Sequence, residues 1–381
     1  MINLRRSHRF FLLFGVAIFL VAMPGVSAED MRQPTTEPAG FDKWSLWDNG
    51  LHLRGANMYQ GEKSFDPETE WPWHPHLKKS DLISLKKSGA NVVVFSVPGP
   101  FNVRSPWGPN PDSIYALDTH VKWAKEVDLF VVLGIRTGPG RSEEDITGLE
   151  SKKRINTVFT DAAVQRHYLD MWRFLAERYR DFDHVVGYDP LLEPNAKYPG
   201  TNEIITFRYQ WRSFAQSLIY AIREIDPNIP ILISPDQFGA PEALKTWRPL
   251  LGKRLVCTIH QYIPREYTHK CAKEADIDKL NDAYKAIDKW KKKWGERSHP
   301  VAVMEYGVKQ TQKEGAAFMQ KQFKLLEDRD INNAVWIWEV EDPEYNNETC
   351  KECIAFDFRR NPTLCKAIVE YWRTAGTSAS K

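Results

Sequence analysis

The sequence predicts a (β/α)8 barrel, and three observations carry that expectation. Short apolar segments alternate with longer amphipathic ones along almost the whole chain. There are eight of the apolar segments. Most are β-branched or continuously apolar, as parallel strands covered on both faces must be. The 381 residues suffice for one such domain, since a barrel of this kind needs about 250 and grows with its loops. An open doubly wound sheet is the rival fold. It commonly has fewer strands, and its first strand feeds a Gly-rich phosphate turn that is missing here. No repeat of fixed period runs through the chain, and no second domain is required.

The expected strands are Leu51–Asn57, Asn91–Val97, Leu129–Ile135, His184–Tyr188, Ile229–Ile233, Arg254–His260, Val301–Glu305 and Asn333–Trp338. The clearest helix spans Asp161–Arg180. There Val164, Tyr168, Trp172, Leu175 and Tyr179 recur at three- and four-residue spacing, with Gln165, Arg166 and Arg173 on the other faces. Phe207–Ile225 repeats the pattern until Asp226-Pro227 stops it. Ala275–Trp294 and Gly315–Leu326 follow, and Asn361-Pro362 opens a last helix.

The ends of the chain read differently. Arg5, Arg6 and Arg9 precede an apolar run from Phe10 to Met23, and Val26-Ser27-Ala28 supplies small residues before Glu29. This is the layout of a secretory signal peptide over residues 1–28, with an uncleaved anchor as the alternative. The run is shorter than the roughly 20 residues of a spanning helix, so cleavage is favoured. A secreted or periplasmic protein with no stable membrane insertion is expected. Residues 29–45 read as a linker, leaving 46–381 as one catalytic-sized domain, expected to be monomeric. Without the three arginines the formal charge falls from +2 to −1, so nothing draws the chain to nucleic acid. The lysines at 289, 291, 292 and 293 read as a solvated helix face. Of the five cysteines, Cys257 lies in an apolar strand and is expected to be a buried thiol. Cys271, Cys350, Cys353 and Cys365 allow two bridges in three connectivities. Cys350-x-x-Cys353 could be half of a zinc site, but no second pair completes it.

In a barrel of this kind chemistry sits at the carboxyl ends of the strands. Strand one ends in Asn57 and strand three in Arg136. Strand four leads into Glu193-Pro194-Asn195, strand six into His260-Gln261-Tyr262, strand seven into Glu305-Tyr306-Gly307, and strand eight into Trp336-Ile337-Trp338. The carboxylates after strands four and seven face each other across the mouth. Glycoside hydrolysis needs such a pair, one carboxyl to protonate the leaving oxygen and one to attack the anomeric carbon. Their environments must hold one neutral and one ionised. His260 and Tyr262 can hold the nucleophile ionised, and Trp338 can form a floor under a sugar ring. Each residue alone has a plainer structural reading: a Glu-Pro turn, a satisfied core His-Tyr pair, two core tryptophans. Their joint placement at strand ends points to chemistry.

With those residues in view, the chain resembles a glycoside hydrolase of clan A, family five, the cellulase family, from about Leu51 to Trp338. Arg54-Gly55-Ala56-Asn57 resembles the family's first-strand Gly-x-Asn. Gly89-Ala90-Asn91-Val92-Val93 resembles its second-strand entry, and Val131 to Gly140 its third strand and Pro-Gly loop. Leu192-Glu193-Pro194 falls on the acid/base motif, His260-x-Tyr262 on the sixth-strand His-x-Tyr, and Glu305-Tyr306-Gly307 on the nucleophile motif. Trp338 falls near the eighth-strand Trp, with Trp336 as its rival. The resemblance implies Glu193 as acid/base, Glu305 as nucleophile, retention of configuration, and no metal or organic cofactor. It also implies a carbohydrate substrate such as a β-glucan, touched by Asn57, Arg136, Asn195, His260, Tyr262, Trp336 and Trp338.

Three positions depart from the family pattern. Its second-strand Arg is Val94, its third-strand His is Arg136, and the Asn before its acid/base is Leu192. A cation lost from strand two can be replaced by Arg136 on the adjacent strand. A Leu cannot bind the sugar 2-hydroxyl: Asn195 or Asn57 could do so from a rearranged loop, or else the sugar is unusual at C2 or catalysis is weak. The departures keep a second class open, a carbohydrate-binding protein with weakened catalysis. A barrel enzyme for phosphorylated metabolites would want a Gly-rich loop after strand seven or eight, where Gly307 stands alone. Trp71, Trp73, His74, His76 and Trp107 sit in loops that rim the active face and read as sugar platforms or as a small loop core. Glu339, Glu341 and Asp342 could meet hydroxyls at the rim.

Overall fold

The computed structural model describes residues 41–48, 50–59, 77–142, 155–197, 204–205, 208–270, 272–310, 312–338 and 361–374. The expected signal peptide lies outside them. So do Trp71, Trp73, His74, His76, Cys271, Glu339, Glu341, Asp342, Cys350 and Cys353.

Eight parallel strands close in chain order: β1 Arg54–Tyr59, β2 Val92–Val97, β3 Phe130–Ile135, β4 Val185–Asp189, β5 Ile231–Ile233, β6 Leu255–Gln261, β7 Val301–Tyr306 and β8 Asn333–Val335. β8 returns to β1 with Arg54 opposite Asn333. This is the (β/α)8 barrel that the alternation predicts. Every expected strand is present, with ends displaced by at most three residues.

The long helices are α1 Lys79–Lys87, α2 Pro111–Glu126, α3 Ala162–Tyr179, α4 Arg208–Ile225, α5 Ile277–Trp294, α6 Gly315–Glu327 and α7 Pro362–Thr374. Local chemistry sets their starts. The Asn110, Asp161 and Asp276 side chains accept from the first-turn N–H groups of α2, α3 and α5, and Asn361 accepts from Leu364 N in α7. In α3 the residues at three- and four-residue spacing, Val164 to Tyr179, are buried against the barrel as predicted. Two of them reach further: Tyr168 Oη and Trp172 Nε1 donate to the Pro190 carbonyl at 3.0 and 2.9 Å. They tie the loop after β4 to the helix shell. On α5, Trp290 is buried and the neighbouring lysines face solvent, as a solvated helix face requires. None of the described helices is long and apolar enough to cross a membrane.

The barrel interior is packed with Leu53, Val92, Val94, Val132, Val186, Leu232, Val256, Ala302, Met304 and Ala334. Trp47 joins that cluster at the amino-terminal end of the strands, and its indole donates to Val186 O at 2.9 Å. It is carried by a 3₁₀ turn, Lys43–Leu46, most of which the sequence assigns to a linker. The apolar spacing that would have marked this turn is too short to read. Trp47→Ala empties a large buried volume and leaves the Val186 carbonyl short of a donor. It is expected to destabilise the fold by about 3–5 kcal/mol, measurable by urea unfolding with an unchanged slope. Cys257, on β6, is a buried free thiol, and burial raises its pKa. Cys365 is buried in α7.

Candidate active site

Three residues converge at the carboxyl ends of β4, β6 and β7. His260 Nδ1 lies 3.0 Å from Glu193 Oε1 and 3.0 Å from Glu305 Oε2. The ligand-capable atoms of all three lie within 4.8 Å of one another. Tyr262 Oη donates to Glu305 Oε2 at 3.2 Å. Glu305 is the more enclosed carboxylate, its side chain 5% exposed against 16% for Glu193. The same trio has the composition of a divalent-metal site. His260 Nδ1 faces both carboxylates, while its Nε2 is buried with no hydrogen-bond partner among the described residues.

The charges are coupled. Burial alone would lower the His260 pKa, but the two carboxylates raise it to about 10. Glu193 is penalised by burial, yet its bond to cationic His260, aided by Arg136 and Arg141, holds it below the ordinary carboxylate range. Glu305 is pushed up, first by burial and then by the Glu193 charge, against the pull of His260. Two carboxylates this close cannot both ionise freely, so one carries the penalty.

Arg136 completes the electrostatics. It is buried just beyond β3, and its Nη1 donates to Ser96 Oγ at 3.2 Å. Its guanidinium lies 4.9 Å from the Tyr59 ring centre and 5.4 Å from that of Trp336. Its charge favours the ionised forms of both glutamates. Val94, where the family pattern has a cation, is packed in the barrel interior.

A family model described as Cellulase (glycosyl hydrolase family 5) matches residues 53–342. The chain belongs to glycosyl hydrolase family 5. Among relatives of this family-5 chain, Endoglucanase C of Acetivibrio thermocellus is 27% identical over 164 residues, 42% of this chain and 42% of that enzyme. A probable glucan 1,3-beta-glucosidase A of Aspergillus fumigatus is 28% identical over 197 residues, 50% of this chain and 43% of the fungal one. The chain thus spans less than half the length of these curated relatives. Thermotoga maritima Cel5A, solved with mannotriose, superposes with a TM-score of 0.63 at 19% identity, covering 86% of this chain and 100% of that one.

Within the family-5 barrel, several expected lining residues take other places. Trp338 is turned away from the mouth: it packs on Trp372 of α7 at 5.4 Å and is 4% exposed. The expectation that it floors the sugar site is corrected by where β8 ends. Regular alternation stops at Val335, so Trp336 and Trp338 need not share a face. Trp336 instead meets Tyr59 at 5.8 Å beside Arg136. Asn57 Nδ2 donates to Met304 O at 2.7 Å and Val335 O at 3.2 Å, tying β1 to β7 and β8. Those bonds use both amide protons, so a sugar hydroxyl could meet it only by donating to its Oδ1. Asn195 is buried two residues past Glu193, and its side-chain amide has no hydrogen-bond partner among the described residues. Trp107 meets His167 of α3 in a tilted ring contact at 4.8 Å, inside the loop and helix shell.

Leu192 has a packing explanation. A Cβ on Gly134 would lie 2.9 Å from Leu192 Cδ1. The bare backbone of β3 makes the room that the leucine fills, and Leu192 is buried like any core residue. Reading residue types at strand ends missed Tyr59, Ser96, Asp189 and Arg141. Asp189 ends β4 four residues before Glu193, where its placement was a usable signal. Burial pushes its pKa up to about 7, helped by Glu305 and opposed by His260 and Arg141. Arg141 follows the Gly138-Pro139-Gly140 turn, and nothing in its sequence context marks it.

Proposed function

We propose that this chain is a retaining glycoside hydrolase acting on β-linked polysaccharide, with Glu193 as acid/base and Glu305 as nucleophile. The observation that carries the reading is the pair of carboxylates within 4.8 Å across the barrel mouth, joined through His260. Retaining enzymes hold their carboxyl groups about 5–5.5 Å apart, too close for an intervening water. The relatives named endoglucanase and glucan glucosidase support a β-glucan as substrate class.

The steps follow from the positions. Glu305 attacks the anomeric carbon while Glu193 gives its proton to the departing oxygen, and the glycosidic bond breaks. Glu193 then takes a proton from water, whose oxygen displaces Glu305 and restores the anomeric configuration. Without substrate the two carboxylates and His260 titrate as one coupled group. A bound glycan separates their roles. It excludes water from the more exposed Glu193 and so favours its neutral form. Positive charge growing at the anomeric carbon favours ionised Glu305. His260, 3.0 Å from both, couples their charges. Tyr262 steadies Glu305 by donating to it.

A 2-deoxy-2-fluoro aryl β-glycoside tests the reading. It should label the wild-type protein once, at Glu305, by intact and peptide mass. Labelling elsewhere, or products of inverted configuration by anomeric NMR, would defeat it.

His260 also ties stability to pH. Its folded pKa of about 10 lies above the unfolded 6.5. The stability it contributes is therefore complete below pH 6.5 and lost as pH rises through about 10. Melting temperature should fall across that interval in the wild-type protein, and the fall should flatten in His260→Gln. Parallel profiles would show that the imidazolium contributes nothing.

A further inference from the structure

We propose that Arg141 is a positioning residue for the acid/base: its guanidinium fixes the backbone on both sides of Glu193. The inference rests on the hydrolase reading above. Arg141 Nη1 donates to Leu192 O at 2.6 Å and Nη2 to Glu193 O at 2.7 Å. These are the carbonyls immediately before and after the Glu193 Cα. Bonds this short from a cation are the strong, charge-assisted kind.

Three features make this more than a buried arginine finding partners. First, Glu193 has φ of +50°, the left-handed region that a side chain bearing Cβ rarely adopts. An extended backbone points successive carbonyls to opposite sides. Here both reach one guanidinium, and the turn at Glu193 is what brings them there. Second, Arg141 is 0% exposed, and a buried cation needs satisfied donors. It directs two of them to main-chain oxygens of the catalytic loop. Third, its own backbone is held. Gly138 and Arg141 exchange backbone hydrogen bonds at 3.1 and 2.9 Å. Gly140 between them has φ of +72°, where a Cβ would lie 2.2 Å from Val164 Cγ1. A rigid turn after β3 thus presents the fork, and Pro190 is pinned from the other side by α3. The loop between has little freedom, and the Glu193 carboxyl is aimed at His260.

An acid held in place matters in proportion to how much the leaving group needs protonation. For Arg141→Met, kcat/KM on a phenyl β-cellobioside should fall about 100-fold. On the 2,4-dinitrophenyl analogue, whose leaving group departs unprotonated, the fall should stay within about 5-fold. Azide should accelerate turnover of the activated substrate, and Arg141→Lys, with its charge kept and its fork lost, should lie between. Equal falls across the leaving-group series in both variants would overturn the proposal, as would parental rates throughout. A crystal structure of Arg141→Lys adds a readout independent of turnover. Relaxation of Glu193 to negative φ, with its carboxylate drawn off His260, is expected. An unchanged φ and an intact 3.0 Å contact would overturn the role of Arg141. Failure of the wild-type protein on every aryl glycoside would count against the hydrolase reading, while the crystal structure would still decide Arg141.

Discussion

Glu305→Ala is expected to lower turnover of a β-glucan by on the order of 10⁴–10⁶-fold with the barrel still folded. The size follows from the position. Glu305 sits on β7 between the Tyr262 hydroxyl and His260; Glu193 shares His260, but among the described residues Glu305 alone accepts from the Tyr262 hydroxyl as well. On the proposed retaining mechanism, removing it removes the covalent intermediate, so neither chemical step has a substitute. The matched variant is Glu193→Ala, with a fall of about 10²–10⁴-fold on unactivated glycosides. The two variants differ in kind. Azide should rescue Glu193→Ala with retention and Glu305→Ala with inversion, because the small anion replaces a base in one and a nucleophile in the other. Product anomers by NMR decide it. If both variants keep parental turnover, the pair is not the catalytic pair.

The barrel was legible because its signal is redundant. Continuous apolar runs such as Val92–Val97 and Leu255–Ile259 are strands by composition, and each is followed by a segment of different period. Register errors of two or three residues do not change the topology. The two carboxylates were legible because strand ends are where the fold puts chemistry, and Glu193 and Glu305 stand at two of them. What the sequence did not disclose was direction. Trp336 and Trp338 are two residues apart, and only the end of β8 at Val335 tells which of them meets Tyr59 and which meets α7. Asn57 has a polar side chain at the right height, yet its protons are spent on Met304 and Val335 carbonyls. Leu192 looked like a lost ligand. It is half of a packing pair with Gly134, a relation between residues far apart in the chain. Arg141 was silent for the same reason: its partners are main-chain oxygens, which every sequence has.

Arg136→Ala is the second large effect, a fall in kcat/KM of about 10²–10³-fold with the fold retained. The family's second-strand cation is absent, and Val94 at that position is one of the apolar side chains filling the barrel. Refilling it with a charge would bury that charge among Val132 and Met304. Arg136 enters instead from just past the neighbouring strand, four residues beyond Val132, the register partner of Val94, and its charge reaches both glutamates. Its held geometry, on Ser96 and between Tyr59 and Trp336, means little reorganisation is needed when charge moves during the reaction. Arg136→Lys separates charge from shape. It keeps the cation but cannot lie between two rings as a planar guanidinium does. If charge is the main contribution, Lys should recover most of the loss, and the acid limb of the pH–rate profile should shift upward in Ala alone. That sign follows from removing a cation that favours ionised Glu305. Near-parental kcat/KM in Arg136→Ala would dismiss the replacement of one strand's cation by the next. The nucleophile would then be held ionised by His260 and Tyr262 alone.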